Sequence, residues 1–413
     1  MQIWIDATNP HSALKIFGMT LLERQLHAIV EAGLKPTEVC VALPAGASGA
    51  PPLPEKLVRS LPLRWVPEHG APAERLAQVV GNSNGEPLLA FEADAVIDAR
   101  LLQYMGKRTG SFAALGGEGA ERAAVVRFEG GIPVTPSADA RLPELADAGL
   151  AQGILRELPL GQVPAYIKKL RRELPVYLFR ITDAASRDRA ERFLFWSNYK
   201  GSTDFFTKYV YPPLVWRMVR PLARWRVHPN VISLFNVFIT VAAVFLFAYE
   251  YWVTGLSCAY SMSVLDSVDG KLARLTYRSS WFGNILDHGL DLIHPPFWYF
   301  GWAWALGQGD VTTPVFQAAI WMAAFYTLDR IVTGLFKLRA GRSIHGYAPI
   351  DVRMRTFISR RNINLPLFTV GLLAGVPIPV FYVIVLWQVV TLGFHTMRLA
   401  QCWNGRDAAE AAG

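Results

Sequence analysis

The sequence contains little cysteine, and its first residues carry no leader pattern. Its three cysteines are Cys40, Cys258 and Cys402, and they form no paired spacing. This pattern excludes a disulfide framework and a cysteine-based metal site, and it favours a reducing compartment. The opening stretch, MQIWIDATNP, lacks a basic region followed by a long apolar run, so it does not predict a signal peptide. We therefore expect the first part of the chain to stay in the cytoplasm.

Charged residues are also scarce, at 18% of the 413 residues, and they are unevenly distributed. Up to about residue 200, charged and apolar residues are mixed as in a soluble protein. From about residue 230 onward the chain is apolar and aromatic, and its charges gather in clusters. The length itself predicts two or three domains. We expect a cytoplasmic α/β domain, a linker with an interfacial helix, an all-α membrane domain and a short tail, over residues 1–195, 196–229, 230–400 and 401–413.

The front half alternates strand-like and helix-like segments. MQIWIDA and EVCVALP are typical of strands, and the amphipathic pattern of residues 21–34 predicts a helix that ends at Gly33. Residues 87–97, PLLAFEADAVI, predict a buried strand that leads into the helix DARLLQYM. Strands that alternate with helices indicate a parallel, Rossmann-type α/β layer.

Two stretches of this half resemble sugar-nucleotide nucleotidyltransferases. LKIFGMTLLERQLHAIVEAGL is similar to that family's pattern of a lysine before a Gly-x-x-Leu-Leu-Glu helix, and FEADAVIDARLL is similar to its acidic, Mg²⁺-holding strand end. The resemblance implies functional roles for Lys15 and Asp94. The alternative is that Lys15 is solvated and that Asp94 caps a helix. The loop ATNPHSALK lacks the glycines that cradle a triphosphate, so we expect a degenerate domain with a binding or regulatory role rather than an active enzyme.

Six apolar segments of the rear half predict membrane-spanning helices, because each segment must satisfy its backbone polar groups internally in lipid. They are residues 231–251, 254–273, 283–305, 313–336, 362–375 and 377–397. Trp, Phe and Tyr near their ends are typical of membrane interfaces. A soluble core made of such helices is the less favoured alternative.

The basic residues predict which side of the membrane each connection faces. The connections after spans one, three and five contain no Lys or Arg; they are EYWVTG, LGQGDVTT and AGVPIP. Basic residues instead precede the first span and fill the connection between the fourth and the fifth. By the positive-inside rule, both termini are cytoplasmic in a multi-pass protein of the inner membrane.

The segment before the first span, residues 205–229, has the pattern of an amphipathic helix. Its apolar and basic residues fall on separate helical faces: Val215, Val219 and Leu222 on one, and Arg217, Arg220 and Arg224 on the other. Such a helix suits the membrane interface, where its arginines meet anionic headgroups. The alternative is a basic linker that only sets the topology.

Four aspartates stand at helical spacing around the connection between the second and third spans. Asp266 and Asp269 fall near the cytoplasmic end of the second span, and Asp287 and Asp291 near the start of the third. Residues three or four apart share a helix face, so two adjoining helices would bring the four carboxylates into one pocket. Carboxylates at a membrane need compensation, and all-oxygen sites of this kind suit Mg²⁺ or Mn²⁺.

Small residues accompany these carboxylates. Gly270, Ala273 and Gly283 lie next to an aspartate or one turn from it, and Arg274 sits beside the same face. Small side chains let a ligand approach the helix backbone, and Arg274 could take a phosphate. Close packing between helices is the alternative explanation for the glycines.

Together these residues complete the pattern D-x-x-D-G-x-x-A-R-x₈-G-x-x-x-D-x-x-x-D, which resembles the motif of the CDP-alcohol phosphotransferase family. HPNVIS, residues 228–233, is similar to the stretch that opens the first span of that family. The resemblance covers about residues 200–400. It implies six membrane helices, a CDP-linked donor and two bound Mg²⁺ or Mn²⁺ ions, with the choice of metal open.

The resemblance also implies a role for each residue of the motif. The metal ligands would be Asp266, Asp269, Asp287 and Asp291. Asp291 would in addition act as the general base that takes the proton of the acceptor hydroxyl. The residues that contact the nucleotide would be Gly270, Ala273, Arg274 and Gly283.

Arginines between the fourth and fifth spans are candidates for binding an anionic acceptor or the donor phosphates. They are Arg353, Arg360 and Arg361. The alternative is that they only set the topology and contact lipid headgroups. Late in the fourth span, Asp329 and Arg330 predict a buried structural pair, to which we assign no site.

The predicted function is transfer of a phosphatidyl group from CDP-diacylglycerol to an acceptor hydroxyl, with release of CMP, in phospholipid synthesis. One alternative is a synthase of a soluble polyol phosphodiester, with a CDP-polyol supplied by the front domain. Another is a cation transporter with an acidic path, which would not need Ala273 and Arg274 at set positions. The expected partners are the CDP-linked donor, the acceptor alcohol, membrane lipids and a second copy of the chain in a homodimer. Nucleic acid is not expected, because the basic clusters coincide with span ends.

Overall fold

The computed structural model describes residues 1–44, 46–47, 49–67, 70–81, 85–129 and 137–404, and for residues 67, 287, 288 and 291 the backbone alone. Most of the tail predicted over residues 401–413 therefore lies outside the described residues. The chain divides into two compact units. The first comprises residues 1–167 and 173–197, and the second comprises residues 168–172 and the chain from Asn198 onward. The domain limits drawn from composition stay a prediction.

The first unit is built on a seven-stranded sheet. The described strands of this sheet and of three two-stranded sheets are, in chain order, β1 (Gln2–Asp6), β2 (Lys15–Ile16), β3 (Met19–Thr20), β4 (Glu38–Leu43), β5 (Leu63–Pro67), β6 (Leu88–Glu92), β7 (Ala95–Ile97), β8 (Phe112–Gly116), β9 (Ala123–Phe128), β10 (Arg156–Glu157), β11 (Tyr166–Ile167), β12 (Arg172–Glu173) and β13 (Leu178–Arg180). The order across the sheet is β10-β8-β9-β6-β1-β4-β5. Buried apolar side chains on both of its faces make the sheet the centre of the core.

Parallel pairing, which the alternation of strands and helices predicts, holds for only part of the sheet. β1 lies parallel to β4 and to β6, and β4 lies parallel to β5. β9, in contrast, runs antiparallel to both β6 and β8, so the sheet is mixed. The short connection between β8 and β9 explains why these two strands are antiparallel, because a parallel crossover needs about a dozen residues or more.

The strand predicted over residues 87–97 is two strands. β6 ends at Glu92, and β7 begins at Ala95 after a turn through Ala93 and Asp94. β7 leaves the main sheet and pairs antiparallel with β13. β7 therefore separates the acidic residues Glu92 and Asp94 from the helix that begins at Ala99.

Helices cover the sheet of the first unit. They are α1 (Leu21–Glu31), α2 (Glu55–Ser60), α3 (Pro72–Gly81), α4 (Ala99–Gly106), α5 (Leu142–Ala151) and α6 (Ala184–Ser197). α1 begins where the Thr20 hydroxyl accepts the backbone N–H of Glu23, and the chain leaves it through Gly33 at a φ of 68°. A positive φ suits glycine because it has no Cβ to clash. The prediction of a helix over residues 21–34 is thus confirmed apart from its last residues.

The second unit is helical. Its helices are α7 (Pro212–Arg224), α8 (Pro229–Ala248), α9 (Trp252–Leu275), α10 (Trp281–Leu306), α11 (Pro314–Ala340), α12 (Pro349–Arg355), α13 (Arg361–Leu373) and α14 (Pro377–Trp403). α8 packs against α9 and α10, and α14 packs against α11 and α13. α7 and α13 also contact α9, so the motif-bearing helix lies among several neighbours.

Three of these helices, among the residues that the structure describes, are long and apolar enough to cross a membrane: α8, α11 and α14. Their outward faces are apolar, as Phe238 of α8 shows with 69% of its surface exposed. α9 and α10 carry the charged motif, and α13 has 13 residues, fewer than the roughly 20 that span a bilayer. The structure supports a membrane-embedded helical unit, and the count of six spans stays a prediction.

The predicted amphipathic segment forms α7. Val215 and Val219 are fully buried in the unit, whereas Arg217 and Arg224 on the other side are exposed. The apolar and basic faces therefore exist, and the apolar face packs on protein at α9. Contact of the basic face with lipid headgroups stays a prediction.

Candidate functional site

Asp266 and Asp269 lie one turn apart on α9, as the spacing predicts. Asp269 is buried, with 5% of its surface exposed, and the side chain of Asp266 is 21% exposed. The helix backbone fixes their separation, so both carboxylates belong to one face of α9. This face of α9 carries the candidate site.

An arginine from outside the sequence motif contacts Asp266. Arg361, the first residue of α13, places Nη2 2.6 Å from Oδ2 of Asp266. Its Nη1 lies 3.5 Å from Nε2 of His294 on α10. The start of α13 therefore brings a cation to the first motif carboxylate. Of the three arginines predicted to serve the acceptor or phosphates, Arg361 is thus placed at the site.

Asp269 is held by a different helix. The Ser233 hydroxyl of α8 donates a hydrogen bond of 2.8 Å to Oδ2 of Asp269 and lies 3.3 Å from the Pro229 carbonyl oxygen. Both side chains are buried. The contact fixes the rotamer of the carboxylate and joins the stretch HPNVIS to the motif on α9.

The small residues of the motif have distinct surroundings. A methyl group on Gly270 would lie 3.3 Å from Nη1 of Arg274, so the arginine lies along α9 over the glycine. A methyl group on Gly283 would lie 2.8 Å from Oδ1 of Asn230 on α8, closer than real side chains come. Ala273 is half-buried on the same helix as Arg274. Gly283 therefore serves close packing of α10 on α8, and Gly270 makes room for a guanidinium.

Two predicted ligands, Asp287 and Asp291, lie on α10 with side chains outside the described residues. Among the side chains that the structure describes, no group of three or more His, Cys, Asp or Glu is placed to hold a metal ion. Asp266 and Asp269 nevertheless suit one by their chemistry, because hard divalent cations prefer carboxylate oxygens. The hydroxyl of Ser233 behind Asp269 orients the carboxylate as outer partners of metal ligands do.

The other two arginine candidates lie elsewhere. Arg353 on α12 is exposed. Arg360, just before α13, has Nη1 3.7 Å from Oδ2 of Asp204. Burial opposes ionisation of Asp204, but the charges of Arg360 and Arg355 and hydrogen bonds from Thr207 outweigh it, so its pKa is lowered.

Asp204 anchors the start of α13 to the segment before α7. It accepts a hydrogen bond of 3.2 Å from the Asn362 amide, which also lies 3.0 Å from the Thr207 hydroxyl. The backbone N–H of Phe205 donates to the Thr356 carbonyl at 3.1 Å. These contacts hold the stretch that carries Arg361 in place.

Sequence reasoning misses four residues of this site: Asp204, Ser233, His294 and Asn362. Ser233 is the last residue of the stretch HPNVIS, whose resemblance to the family indicates its position but not its contact with Asp269. The others carry no local pattern that could have revealed them, because their partners are distant in the chain.

The expected pair of Asp329 and Arg330 is confirmed. Arg330 Nη2 lies 2.6 Å from Oδ2 of Asp329, which is fully buried. The other oxygen of Asp329 lies 2.5 Å from Nδ1 of His395 on α14. The pair therefore joins α11 to α14.

In the first unit, the two candidate residues have different surroundings. Lys15 is exposed on β2. Asp94 is buried, with Oδ2 2.6 Å from Nε of Arg180. Burial raises the pKa of Asp94 from its ordinary value, although Arg180 opposes the shift. The alternative role of Asp94 as a helix cap is wrong: Asp98 caps α4, accepting the backbone N–H of Arg100.

A polar cavity of about 220 Å³ lies where β1 and β6 end. Its lining includes Asp6 and Glu92, which face each other across the two strands. Each carboxylate has an arginine: Arg75 lies 3.2 Å from Asp6, and Arg141 lies 2.6 Å from Glu92. Burial raises the pKa of Glu92, although the charge of Arg141 opposes this shift.

Comparison with known proteins assigns the rear of the chain. Residues 226–399 match the family model for CDP-alcohol phosphatidyltransferase, and they include every residue of the motif. The matched residues are less than half of the chain, so the likeness to this family is one of that part alone. Members of the family generally use CDP-linked donors and divalent metals.

Two curated relatives align with part of the chain. An uncharacterized CDP-alcohol phosphatidyltransferase class-I family protein of Schizosaccharomyces pombe is 30% identical over 118 residues, which are 24% of this chain and 30% of the relative. Cholinephosphotransferase 1 of Rattus norvegicus is 36% identical over 93 residues, which are 20% of this chain and 23% of the relative. The alignments thus cover less than a third of either relative.

Two solved structures are similar to parts of the chain. Phosphatidylinositol phosphate synthase of Mycobacterium tuberculosis, solved with CDP-DAG bound, is 20% identical with a TM-score of 0.36, over 47% of this chain and 94% of that one. A 2-C-methyl-D-erythritol 4-phosphate cytidylyltransferase from Thermus thermophilus is 17% identical with a TM-score of 0.31, over 46% of this chain and 97% of that one.

Proposed function

We propose that the chain is a membrane phosphotransferase. It moves a substituted phosphate group from a CDP-alcohol, CDP-diacylglycerol first of all, to an acceptor hydroxyl and releases CMP, as in phospholipid synthesis. The observation that carries this proposal is the arrangement on α9. Asp266 and Asp269 share one face, with Arg361 on the first and Ser233 on the second, inside a domain of the matching family.

The residues of the chain divide the work of this reaction. Asp266 and Asp269, with Asp287 and Asp291, would hold two Mg²⁺ or Mn²⁺ ions, which when bound neutralise the phosphates of the donor. Ser233 keeps Asp269 in one orientation. Arg274, lying over Gly270, binds the nucleotide phosphate from the side of α9. Asp291 accepts the proton of the attacking hydroxyl as the new P–O bond forms and the bond to CMP breaks.

The front unit does not supply the donor in this proposal. Asp94, the acid that the nucleotidyltransferase resemblance assigns to Mg²⁺, forms a buried ion pair with Arg180. Asp6 and Glu92 also have arginine partners. This arrangement favours a binding or regulatory role for the unit, with a lipid-linked donor made elsewhere. The proposal places the enzyme in the cytoplasmic membrane, with both termini on its inner side.

The test uses the purified full chain in a neutral detergent with CDP-diacylglycerol labelled in the cytidine. We expect release of labelled CMP that requires both Mg²⁺ or Mn²⁺ and an acceptor alcohol, and formation of a new lipid. Asp269→Asn should abolish CMP release, while Glu250→Gln, an exposed carboxylate outside the motif, should not. Ion flux into vesicles without CMP release would instead indicate the transporter alternative.

A further inference from the structure

The connection between α9 and α10, residues 276–280, joins the two halves of the aspartate motif. Its last residue, Ser280, caps α10, because the hydroxyl accepts the backbone N–H of Gly283 at 3.0 Å. Asp287 follows Gly283 by one helical turn, and its backbone belongs to the same helix. The position of the cap therefore sets where the second aspartate pair lies along the bundle.

The stretch at the start of α8 holds this connection from outside. The Ser280 hydroxyl donates a hydrogen bond of 2.9 Å to Oδ1 of Asn230, in the first turn of α8. The guanidinium of Arg278 donates a hydrogen bond of 2.8 Å to the backbone carbonyl oxygen of Arg226, just before α8. Two contacts thus tie the connection to residues 226–230.

The backbone is left-handed on both sides of this contact. Arg226 has a φ of 54°, and Tyr277, next to Arg278, has a φ of 52°. Residues with a Cβ rarely adopt this conformation, and they keep it only where the surrounding contacts fix it. The contacts between the start of α8 and the connection therefore hold the shape of the turn.

The stretch that opens α8 contacts both halves of the motif. Ser233 holds Asp269 on α9 directly, with a hydrogen bond of 2.8 Å. Asn230 reaches α10 through the hydroxyl of Ser280, which donates to Oδ1 and accepts the N–H of Gly283. A hydroxyl that donates to a fixed acceptor keeps its lone pairs in one direction, here toward the start of α10.

We propose that Asn230 is a positioning residue for the transfer reaction. Through Ser280 it fixes the start of α10, and with it the place of the second aspartate pair relative to the pair on α9. The effect on metal binding and turnover rests on the proposed function, whereas the hold on α10 does not.

The first measurement is hydrogen exchange of the amides in the first turn of α10, on the full chain in detergent and without metal. Asn230→Ala and Asn230→Leu both remove the acceptor, one by shortening the side chain and one at similar size. In each variant these amides should exchange at least about fivefold faster, the loss expected for one hydrogen bond. Asn230→Asp keeps an acceptor for Ser280 and should retain the protection.

Asn404→Leu, at an exposed asparagine after α14, is the control and should leave the exchange unchanged. Equal exchange in the wild type and in both variants that lack the acceptor would overturn the hold on α10.

A double substitution shows whether Asn230 acts through Ser280. Ser280→Ala removes both the cap and the donor, so it should speed the exchange more than Asn230→Ala does. The double variant should exchange no faster than Ser280→Ala alone, because the shared hydrogen bond is already lost. Additive losses would show that Asn230 acts by another route, and they would overturn this one.

The second measurement is Mn²⁺ binding without donor or acceptor, followed by electron paramagnetic resonance. Displacement of one aspartate pair should weaken Mn²⁺ binding by Asn230→Ala at least about tenfold, as for other groups that orient metal ligands. Asn230→Asp should bind Mn²⁺ at least as tightly as the wild type. Faster exchange in α10 with unchanged Mn²⁺ affinity would limit Asn230 to a structural role and overturn the positioning proposal.

CMP release separates this proposal from the proposed function. In Asn230→Ala, release should be low at limiting Mn²⁺ and recover as Mn²⁺ is raised, because the defect is one of metal affinity. Release that stays low at saturating Mn²⁺ would overturn the route through the metal ligands. Absence of CMP release from the wild type would refute the proposed function, while the hold of Asn230 on α10 would stand.

Discussion

The guanidinium of Arg361 lies 2.6 Å from the carboxylate of Asp266, although 95 positions separate the two residues in the chain. Both side chains are largely withdrawn from solvent, with 10% and 21% exposed. The pair therefore ties the start of α13 to the motif helix α9. It places a positive charge where the proposed reaction handles the phosphates of the donor.

Asp266→Asn should reduce the rate of CMP release by about 100-fold or more. This loss is larger than the loss expected when a residue that only hydrogen-bonds to a metal ligand is replaced. Asparagine keeps the size of the side chain and removes the charge that would hold a cation. CMP release from labelled CDP-diacylglycerol measures the effect, and gel filtration checks that the variant folds. Glu250→Gln is the matched control. Activity within threefold of the wild type would remove Asp266 from the site.

Ser233→Ala should weaken metal binding rather than abolish activity. The hydroxyl donates the 2.8 Å hydrogen bond to Asp269, and loss of such an outer contact typically costs about 10- to 100-fold in metal affinity. Mn²⁺ binding followed by electron paramagnetic resonance gives the affinity without any turnover. Ser233→Thr keeps the hydroxyl and should restore most of it. Equal Mn²⁺ affinity in Ser233→Ala and the wild type would contradict this role.

Gly283→Ala should destabilise the second unit. Its methyl group would lie 2.8 Å from Oδ1 of Asn230 and 3.1 Å from Oγ of Ser280, so these two side chains would have to shift and strain the hydrogen bond that Ser280 donates to Asn230. Overpacking of this kind costs about 1–3 kcal/mol. Thermal unfolding in detergent should show a lower midpoint. Gly334→Ala on α11, where no described atom lies within 4 Å, should leave the midpoint unchanged or raise it, since alanine favours a helix.

The local part of the site could be predicted from the sequence, and the distant part could not. Helical periodicity alone places Asp266 and Asp269 on one face, because the geometry depends only on their spacing of three. The contacts of Asp266 with Arg361 and of Asp269 with Ser233 join different helices. No spacing rule specifies which helices meet, so these partners appear only in the folded chain.

The front unit shows the same limit. The strand at Leu88–Glu92 and the helix at Ala99–Gly106 follow from local patterns. The assignment of Asp94 as a cap fails because β7 intervenes to pair with β13, whose position in the chain is more than 80 residues away. The cap is Asp98 instead, one turn later. Pairing between distant strands thus decides where the helix starts.

Arg180→Gln should destabilise the first unit strongly at neutral pH. The guanidinium lies 2.6 Å from Asp94, and the two side chains are 9% and 1% exposed. Removal of one member of a buried ion pair leaves an uncompensated charge and costs about 3–5 kcal/mol. Hydrogen exchange of the amides of β6 and β7, followed in urea on the full chain, gives the free energy of opening.

The pH dependence of this loss distinguishes a charge effect from a packing effect. Because burial raises the pKa of Asp94, its ionisation destabilises the folded state, and stability falls as pH rises from its ordinary pKa of 3.8 through the raised one. Without Arg180 the pKa rises further. The cost of Arg180→Gln should therefore be smaller at pH 4, where the protonated fraction of Asp94 is larger, than at pH 7. Arg189→Gln, which removes a surface pair with Glu121, should cost no more than about 1 kcal/mol at either pH. An equal loss for Arg180→Gln at both pH values would show that Arg180 contributes packing and not charge.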